Sequence, residues 1–302
     1  MIVFHENYEI DKVRWDNCIK DSPRSLPYAY SWYLDHMSPG WQALIEGDYN
    51  SVFPIPGSVR FGIKYIATPI FLQQLGVCCS DKTNPIDISR FLDKIPDDFK
   101  LVDLCVGQKV IHNEFIVTEK ADFELDLSKP YELLYKNFNR NCKRNILQSS
   151  KFRPVITDDI APIDLIKLFI ENKGSEINGI KKSAYSRLEN LMNYCISNKK
   201  GKISGVLNEN KKLFYGLFFL ISEGRKTMIL LANTPESHEK RTGYYVYNEL
   251  IRESAGSDIV LDFSGSSIPS IASFMKSFGS VNNPYYRIYR NRLPWPVRFL
   301  KE

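Results

Sequence analysis

The sequence predicts an α/β (α+β) protein built from two tandem domains, each a mixed, mostly antiparallel sheet flanked by helices. Three observations predict it. Short β-rich runs are cut by turn residues, segments between them carry the 3.6-residue apolar period of helices, and the order of elements comes round twice along the chain. At 302 residues the chain can bury two cores.

In the first half a helix is expected over 11–20, followed by an aromatic stretch, 23–33. Strands follow over 41–47 (WQALIEG), 51–57 (SVFPIPG) and 62–69 (GIKYIATP), rich in β-branched and aromatic residues and bounded by glycine and proline. Residues 71–80 are less regular. A helix over 85–96 starts near Asp87 or Ser89, KLVDLCVG (100–107) reads as a buried strand, and 114–127 holds one or two more. A long amphipathic helix over 129–151 groups Tyr131, Leu134, Tyr135, Phe138, Cys142 and Ile146 on one face. Lys136, Arg140, Lys143 and Arg144 fall on the other.

The order then repeats: strand 152–158, helices 164–173 and 183–200, and strands 202–209, 212–224 and 226–233 with turns between them. Helix 243–255, strand 258–264, helix 268–278 and strand 284–291 complete it. The divide falls near 122–129, which gives domains of 1–125 and 126–291, and 292–302 is a proline-broken amphipathic tail that packs on one of them.

Lys and Arg number 40 against 35 Asp and Glu, a net charge of +5. That mild excess suits an anionic ligand and does not demand nucleic acid. The six cysteines, Cys18, Cys78, Cys79, Cys105, Cys142 and Cys195, form no Cys-x-x-Cys pair and do not cluster with the four histidines. A disulfide frame and a zinc site are therefore not expected, and the thiols fit a cytoplasmic protein without a metal. The N-terminus carries acidic residues and no apolar run of signal-peptide type, and no stretch of about 18 apolar residues suggests a membrane span.

Most of the functional signal lies in 227–279, which reads strand (TMILLAN), polar loop (TPESHEKRT), helix (GYYVYNELIRESAG), strand (DIVLDFSG) and helix (SIPSIASFMKSFG). A helix start with unpaired N–H groups, Gly243 and the cations Lys240 and Arg241 is a natural seat for a phosphate. The other reading of Lys240, Arg241, Thr242 and Gly243 is a solvated loop with Thr242 as the helix cap. The loop follows Leu231 and Ala232 at the carboxyl end of a strand, where α/β proteins bind ligands.

Three stretches resemble the Fem-type transferases, the non-ribosomal peptidyl transferases that add amino acids to peptidoglycan precursors. They are NRNCKRNILQSSKF (139–152), LDFSGS (261–266) and FMKSFG (274–279), and with the element order they cover about 129–291. The resemblance implies two tandem domains of the GNAT acyl-CoA N-acyltransferase fold. It also implies an N-acyltransferase that moves an acyl or aminoacyl group to an amine, with acyl-CoA or aminoacyl-tRNA as co-substrate. The acceptor would be a small molecule or resemble a peptidoglycan precursor, and tRNA would be a further partner. In two places the chain departs from the pattern. The family's lysine aligns with Met275, one residue before Lys276, and of the GNAT loop pattern laid over 238–243 only Gly243 is kept. A second reading follows: a non-catalytic binding module that kept the fold and lost the donor site.

N-acyl transfer needs a route for one proton and donors for a developing oxyanion, but no metal and no covalent Ser or Cys. Asp262, at the end of an apolar strand, could orient the amine or take its proton; it could equally cap the next helix or pair with an arginine. His238, with Glu236 and Glu239 beside it, could deprotonate an amine or be an idle surface residue. Lys276 could stabilise an oxyanion or complement a helix dipole. Arg140 and Arg144 could hold an anionic substrate or be the wet face of a helix. Tyr285, with Tyr286 and Tyr289, could protonate a leaving thiolate or pack a strand, and Trp32 could line a cleft with Tyr33, Gln73 and Gln74 or sit in a core.

Overall fold

Helix caps and apolar runs set the elements, and the ladders between strands set the units. The computed structural model describes residues 1–23, 25–81, 87–173, 180–265 and 268–298. The chain divides into Met1–Lys120 with Pro284–Glu302, and Ala121–Asn283. The first unit holds β1 (Ile2–His5), α1 (Lys12–Asp21), α2 (Ser31–Met37), β2 (Gln42–Glu46), β3 (Ser51–Ile55), β4 (Gly57–Arg60), β5 (Ile63–Ala67), β6 (Cys78–Cys79), α3 (Ser89–Leu92), β7 (Phe99–Val106) and β8 (Ile116–Lys120). The second holds β9 (Phe123–Asp126), α4 (Tyr131–Asn137), α5 (Arg140–Ser150), β10 (Ile156–Thr157), α6 (Pro162–Lys173), α7 (Lys182–Ser197), β11 (Gly201–Leu207), β12 (Leu213–Ser222) and β13 (Arg225–Asn233). It continues with α8 (Pro235–Glu239), α9 (Thr242–Ser254), β14 (Val260–Asp262), α10 (Pro269–Lys276) and β15 (Val281–Asn282). The chain then returns to the first unit with β16 (Tyr285–Asn291) and α11 (Trp295–Arg298).

In the first unit β1, β2, β3 and β6 form one antiparallel sheet, and β4, β5, β7, β16 and β8 form a mixed one. Asp11 caps α1 by accepting from the Val13 and Arg14 N–H groups, and the helix buries Trp15, Cys18 and Ile19. The Trp15 ring lies 4.7 Å from that of Trp41, and its indole N–H donates to the Ala29 carbonyl at 2.8 Å.

The second unit has one seven-stranded sheet, β10-β11-β12-β13-β14-β9-β15. Its interior strand β12 is almost wholly apolar because both faces are covered. Tyr215, Leu217 and Phe219 belong to the core that includes α5, α9 and α10, while a side chain on Gly216 would run into Leu165 of α6.

Three expectations are corrected. The helix over 129–151 is two helices, α4 and α5. Phe138 between them is extended and buried, its ring edge-on to Phe278 at 5.2 Å, and Asn139 starts α5 by accepting from the Cys142 N–H at 2.8 Å. The strand over 284–291 does not close the second domain. As β16 it lies between β7 and β8, and Arg287 grips Asp103 of β7 at 2.6 and 2.8 Å. A run of Tyr and Arg around Ile288 fits a strand in any of the sheets, so the pattern alone carries no address. The boundary also moves from 125 to 120, which keeps β9 whole, antiparallel to β14 and β15. In the tail, the Arg292 N–H donates to the Lys100 carbonyl, so it joins the first unit, while 299–302 lie outside the described residues.

Candidate functional site

β13 and β14 run parallel for three rungs, Arg225↔Val260, Lys226↔Leu261 and Thr227↔Asp262. β14 then stops, while β13 continues to Asn233 with β12 on its other side. Opposite β12 the register slips: Phe219 faces Met228 and Phe218 faces Leu230, so Ile229 is an extra residue. Such a bulge raises the local twist. Beyond Thr227 β13 and β14 share no further rung, so the pairing ends at the middle of a sheet.

That end is fixed by the turn after β14. Ser264 takes the left-handed conformation (φ 54°), its N–H donates to Asp262 Oδ1 at 2.8 Å, and its hydroxyl donates to the Met228 carbonyl. The Gly265 N–H donates to Asp122 Oδ1 at 2.9 Å. A β-carbon on Gly265 would lie 2.0 Å from the Ala121 carbonyl oxygen and 2.4 Å from the Asp122 Cα, so only glycine fits. This explains the Ser-Gly pair of LDFSGS; its last residue, Ser266, lies outside the described residues.

Under that turn Asp122, Glu124 and Asp262 bring carboxylate oxygens within 4.8 Å of one another. Arg225 supplies the positive charge, with Nη1 2.7 Å from Glu124 and 3.1 Å from Asp262. One guanidinium against three carboxylates leaves an excess of negative charge in a dry place. Burial, with Asp122 alongside, pushes the Asp262 carboxyl up to about 8. Asp262 is 0% exposed and accepts from Arg225, Thr227 and the Ser264 N–H.

At the far end of β13, Leu231 is half-buried and Ala232 buried. The expected open loop is largely helical: α8 is capped by Thr234, whose side chain accepts from the Ser237 N–H. His238 and Glu239 are exposed on it. Lys240 folds back, with Nζ 2.6 Å from Glu236 and over the rings of Phe152 and Phe214 at 5.4 and 5.8 Å. Thr242 is not the cap of α9; it is the buried first helical residue, and Arg241 precedes it in the left-handed conformation (φ 58°) with no side-chain cap bond. The Thr242 and Gly243 N–H groups thus lack a partner inside the helix and from the cap side chain, while the Tyr244 N–H donates to the Arg241 carbonyl at 3.0 Å.

Tyr215, which sequence reading missed, lies beneath this helix start. A β-carbon on Gly243 would meet the Tyr215 hydroxyl at 3.2 Å, and that hydroxyl is buried with no hydrogen-bond partner among the described residues. Burial drives its pKa well above the ordinary tyrosine value. A tyrosine within an apolar strand gives no sequence signal beyond ordinary packing.

The remaining candidates lie elsewhere. Lys276 is exposed at the end of α10, its Nζ over the Phe123 ring at 5.4 Å, while Phe274 and Phe278 of the same motif pack on Tyr244 and Tyr247. Arg140 and Arg144 are exposed on α5. Trp32 and Tyr285 belong to the first unit: Trp32 is buried on α2 and stacked on Tyr30 at 5.8 Å, and Tyr285 is half-buried opposite Lys120. A groove of about 340 Å³ in the second unit has an apolar floor that includes Phe219 and Leu250. Its rim charges pair with each other, Lys202 with Asp158 at 2.8 Å and Arg252 with Glu249 at 2.8 Å. Burial pushes the thiols of Cys18, Cys142 and Cys195 up to about 12, which leaves them poor nucleophiles. Among the described residues no helix is long and apolar enough to cross a membrane.

No family model matches the sequence, and no curated protein matches it. Solved structures do match the fold. FemX aligns over 97% of this chain and 98% of its own, with a TM-score of 0.65 at 10% identity. A conserved protein of unknown function from Bacteroides thetaiotaomicron aligns over 96% and 99%, with a TM-score of 0.60 at 13% identity. L-PGS from Bacillus licheniformis aligns over 88% and 90%, with a TM-score of 0.52 at 13% identity. At these identities the likeness is one of architecture, and the chain shares the mixed α/β fold of FemX over nearly its whole length.

Proposed function

We propose that the chain is an N-acyltransferase that moves an acyl or aminoacyl group from an activated donor, acyl-CoA or aminoacyl-tRNA, to an amine. The donor's phosphates would rest on the N-terminus of α9, at Arg241, Thr242 and Gly243, with Lys240 at the rim. Its acyl group would lie along β13 beyond its last rung with β14, near Leu231 and Ala232. The amine nitrogen attacks the carbonyl carbon, the new C–N bond forms as the thiolate or ribose oxygen departs, and the amine gives up one proton. Backbone N–H groups of β13 beyond its last rung with β14 would stabilise the oxyanion, and His238, exposed on α8, would take the amine proton, the nearer Glu236 being engaged by Lys240. Asp262 is enclosed on every side, so we assign it to tying β13 and β14 together where their pairing ends and not to proton transfer. Arg140 and Arg144 could contact an anionic acceptor or a tRNA backbone, and Lys276, Trp32 and Tyr285 are secondary candidates. A peptidoglycan-precursor-like acceptor and a cytoplasmic location belong to the same reading.

The observation that carries the proposal is the unpartnered Tyr215 hydroxyl beside an uncapped helix start, since both lack the acceptor that a phosphate supplies. One observation favours a binding module without catalysis: Lys240 is engaged by Glu236 and by two rings. Titration of the purified chain with acetyl-CoA, longer acyl-CoAs and charged tRNA separates the readings. Saturable binding of one donor with acyl transfer to an amine supports the enzyme, binding without transfer keeps the donor site but removes catalysis, and no binding of any donor by folded protein removes the enzyme and leaves the module that lost the donor site.

A further inference from the structure

Helix α5 presents an outward stripe whose apolar members have no part in the acyl-transfer reading. At about 100° per residue, Arg140, Lys143, Arg144, Leu147 and Lys151 share one side, opposite the buried Cys142, Asn145, Ile146 and Ser149. After the helix the chain turns at Arg153 (φ 48°) and leaves Phe152 and Val155 facing out. Leu147 is 63% exposed, Phe152 54% and Val155 76%. Residues 140–157 contain no Asp or Glu. Arg144 rests on the Asn141 amide oxygen at 2.6 Å and Lys143 on the Lys136 carbonyl at 3.1 Å, both neutral acceptors. At the edge beside Phe152, the acid Glu236 is already neutralised by Lys240.

We propose that this stripe docks on the surface of an anionic lipid bilayer. Cations next to protruding apolar side chains match the two layers of such a surface, charged headgroups above and acyl chains below. Nucleic acid answers the cations equally well, but of the protruding apolar side chains only Phe152 has a face to stack on a base, and Lys240 lies over that ring; Leu147 and Val155 have none. In a bilayer they gain by leaving water. The stripe shares Arg140 and Arg144 with the tRNA reading above, but Leu147, Lys151, Arg153 and Val155 belong to no part of the α9 helix start, so variants there separate lipid docking from donor binding.

The test is sedimentation of the full chain with vesicles of mixed phosphatidylglycerol and phosphatidylcholine, against pure phosphatidylcholine, over a salt series. Binding to the mixed vesicles that weakens with salt, and little binding to the neutral ones, is expected. Each cation near such a surface is worth about fivefold, so K151E/R153E should lose tenfold or more. L147S/V155S should lose several-fold at every salt concentration. All four positions are at the surface, circular dichroism checks folding, and K151Q/R153Q serves if the charge reversal fails to fold. Equal sedimentation with both vesicle types, or binding unchanged in both double variants, overturns the proposal. So does binding to a short RNA duplex, lost in K151E/R153E, with no binding to vesicles.

Discussion

Arg225 donates to Asp262 at 3.1 Å across the β13–β14 pair, two residues before the last rung at which those strands touch. The same guanidinium nitrogen holds Glu124 of β9 at 2.7 Å. One buried cation thus ties three neighbouring strands at the place where the β13–β14 pairing ends. Its loss would leave several carboxylates together in a dry interior. Breaking a buried pair from one side costs about 3–5 kcal/mol, so Arg225→Leu should lower stability by that amount in urea denaturation. A loss under about 1 kcal/mol, the range of an exposed pair, would show that water reaches the cluster.

The same cluster sets a pH dependence. The Asp262 carboxyl titrates up near 8 in the folded chain because burial, and then Asp122, oppose its charge. In the unfolded chain it returns to about 3.9. Between those values the folded state holds a proton that the unfolded state has released, so stability falls as pH rises across the window. The contribution is complete below the unfolded value and gone above the folded one. Asp262→Asn removes this linkage. Urea midpoints from pH 5 to pH 9 should therefore decline more steeply for the native chain than for the variant, and parallel curves would contradict the raised carboxyl.

Gly265 tests the turn that fixes the end of that pairing. Its missing side chain leaves room for the Ala121 carbonyl oxygen and the Asp122 backbone, which a β-carbon would meet at 2.0 and 2.4 Å. Backbone atoms cannot swing aside as the tip of a side chain can. Gly265→Ala should cost about 3 kcal/mol or more, the upper range for overpacking, and weaken donor binding with it. Gly256, at φ 78° with nothing within 4 Å of where a β-carbon would stand, is the control. There Ala should cost about 1–2 kcal/mol from the left-handed backbone alone and leave donor binding unchanged. Equal losses at the two glycines would remove the close approach as the cause.

How much of this was legible in the sequence depends on whether the signal is local. Strands β11, β12 and β13 and helix α9 were readable because apolar runs, turn residues and periodicity are local features. The α4–α5 break was hidden because Phe138 continues the apolar face of one long helix, and only its packing on Phe278 shows why the chain turns there. The home of β16 was hidden because strand pairing is non-local, and nothing in PYYRIYRN names Asp103 as the partner of Arg287. At the site, the Gly243 helix start was visible as a motif. Lys240 reads in the sequence as part of a phosphate cradle or of a solvated loop, whereas the short helix α8 turns it onto Glu236. Tyr215 was missed because an orphaned hydroxyl is a property of its surroundings and not of the residue.

That hydroxyl gives the most direct test of the proposed donor site. In the empty chain a buried O–H without an acceptor is destabilising, and removing it should leave stability unchanged or raise it by about 1 kcal/mol. With a donor bound, the same O–H would point at a charged phosphate oxygen beside Gly243, a hydrogen bond worth about 1.5–3 kcal/mol. Tyr215→Phe should therefore unfold at an equal or higher urea concentration, yet bind the donor about tenfold or more weakly by calorimetry. Gly243→Val, which thrusts carbon toward that hydroxyl, should weaken the donor further. The two readouts move in opposite directions only if the hydroxyl serves a ligand. A Tyr215→Phe chain that is more stable and binds its donor as tightly as before would mean that the phosphate sits elsewhere.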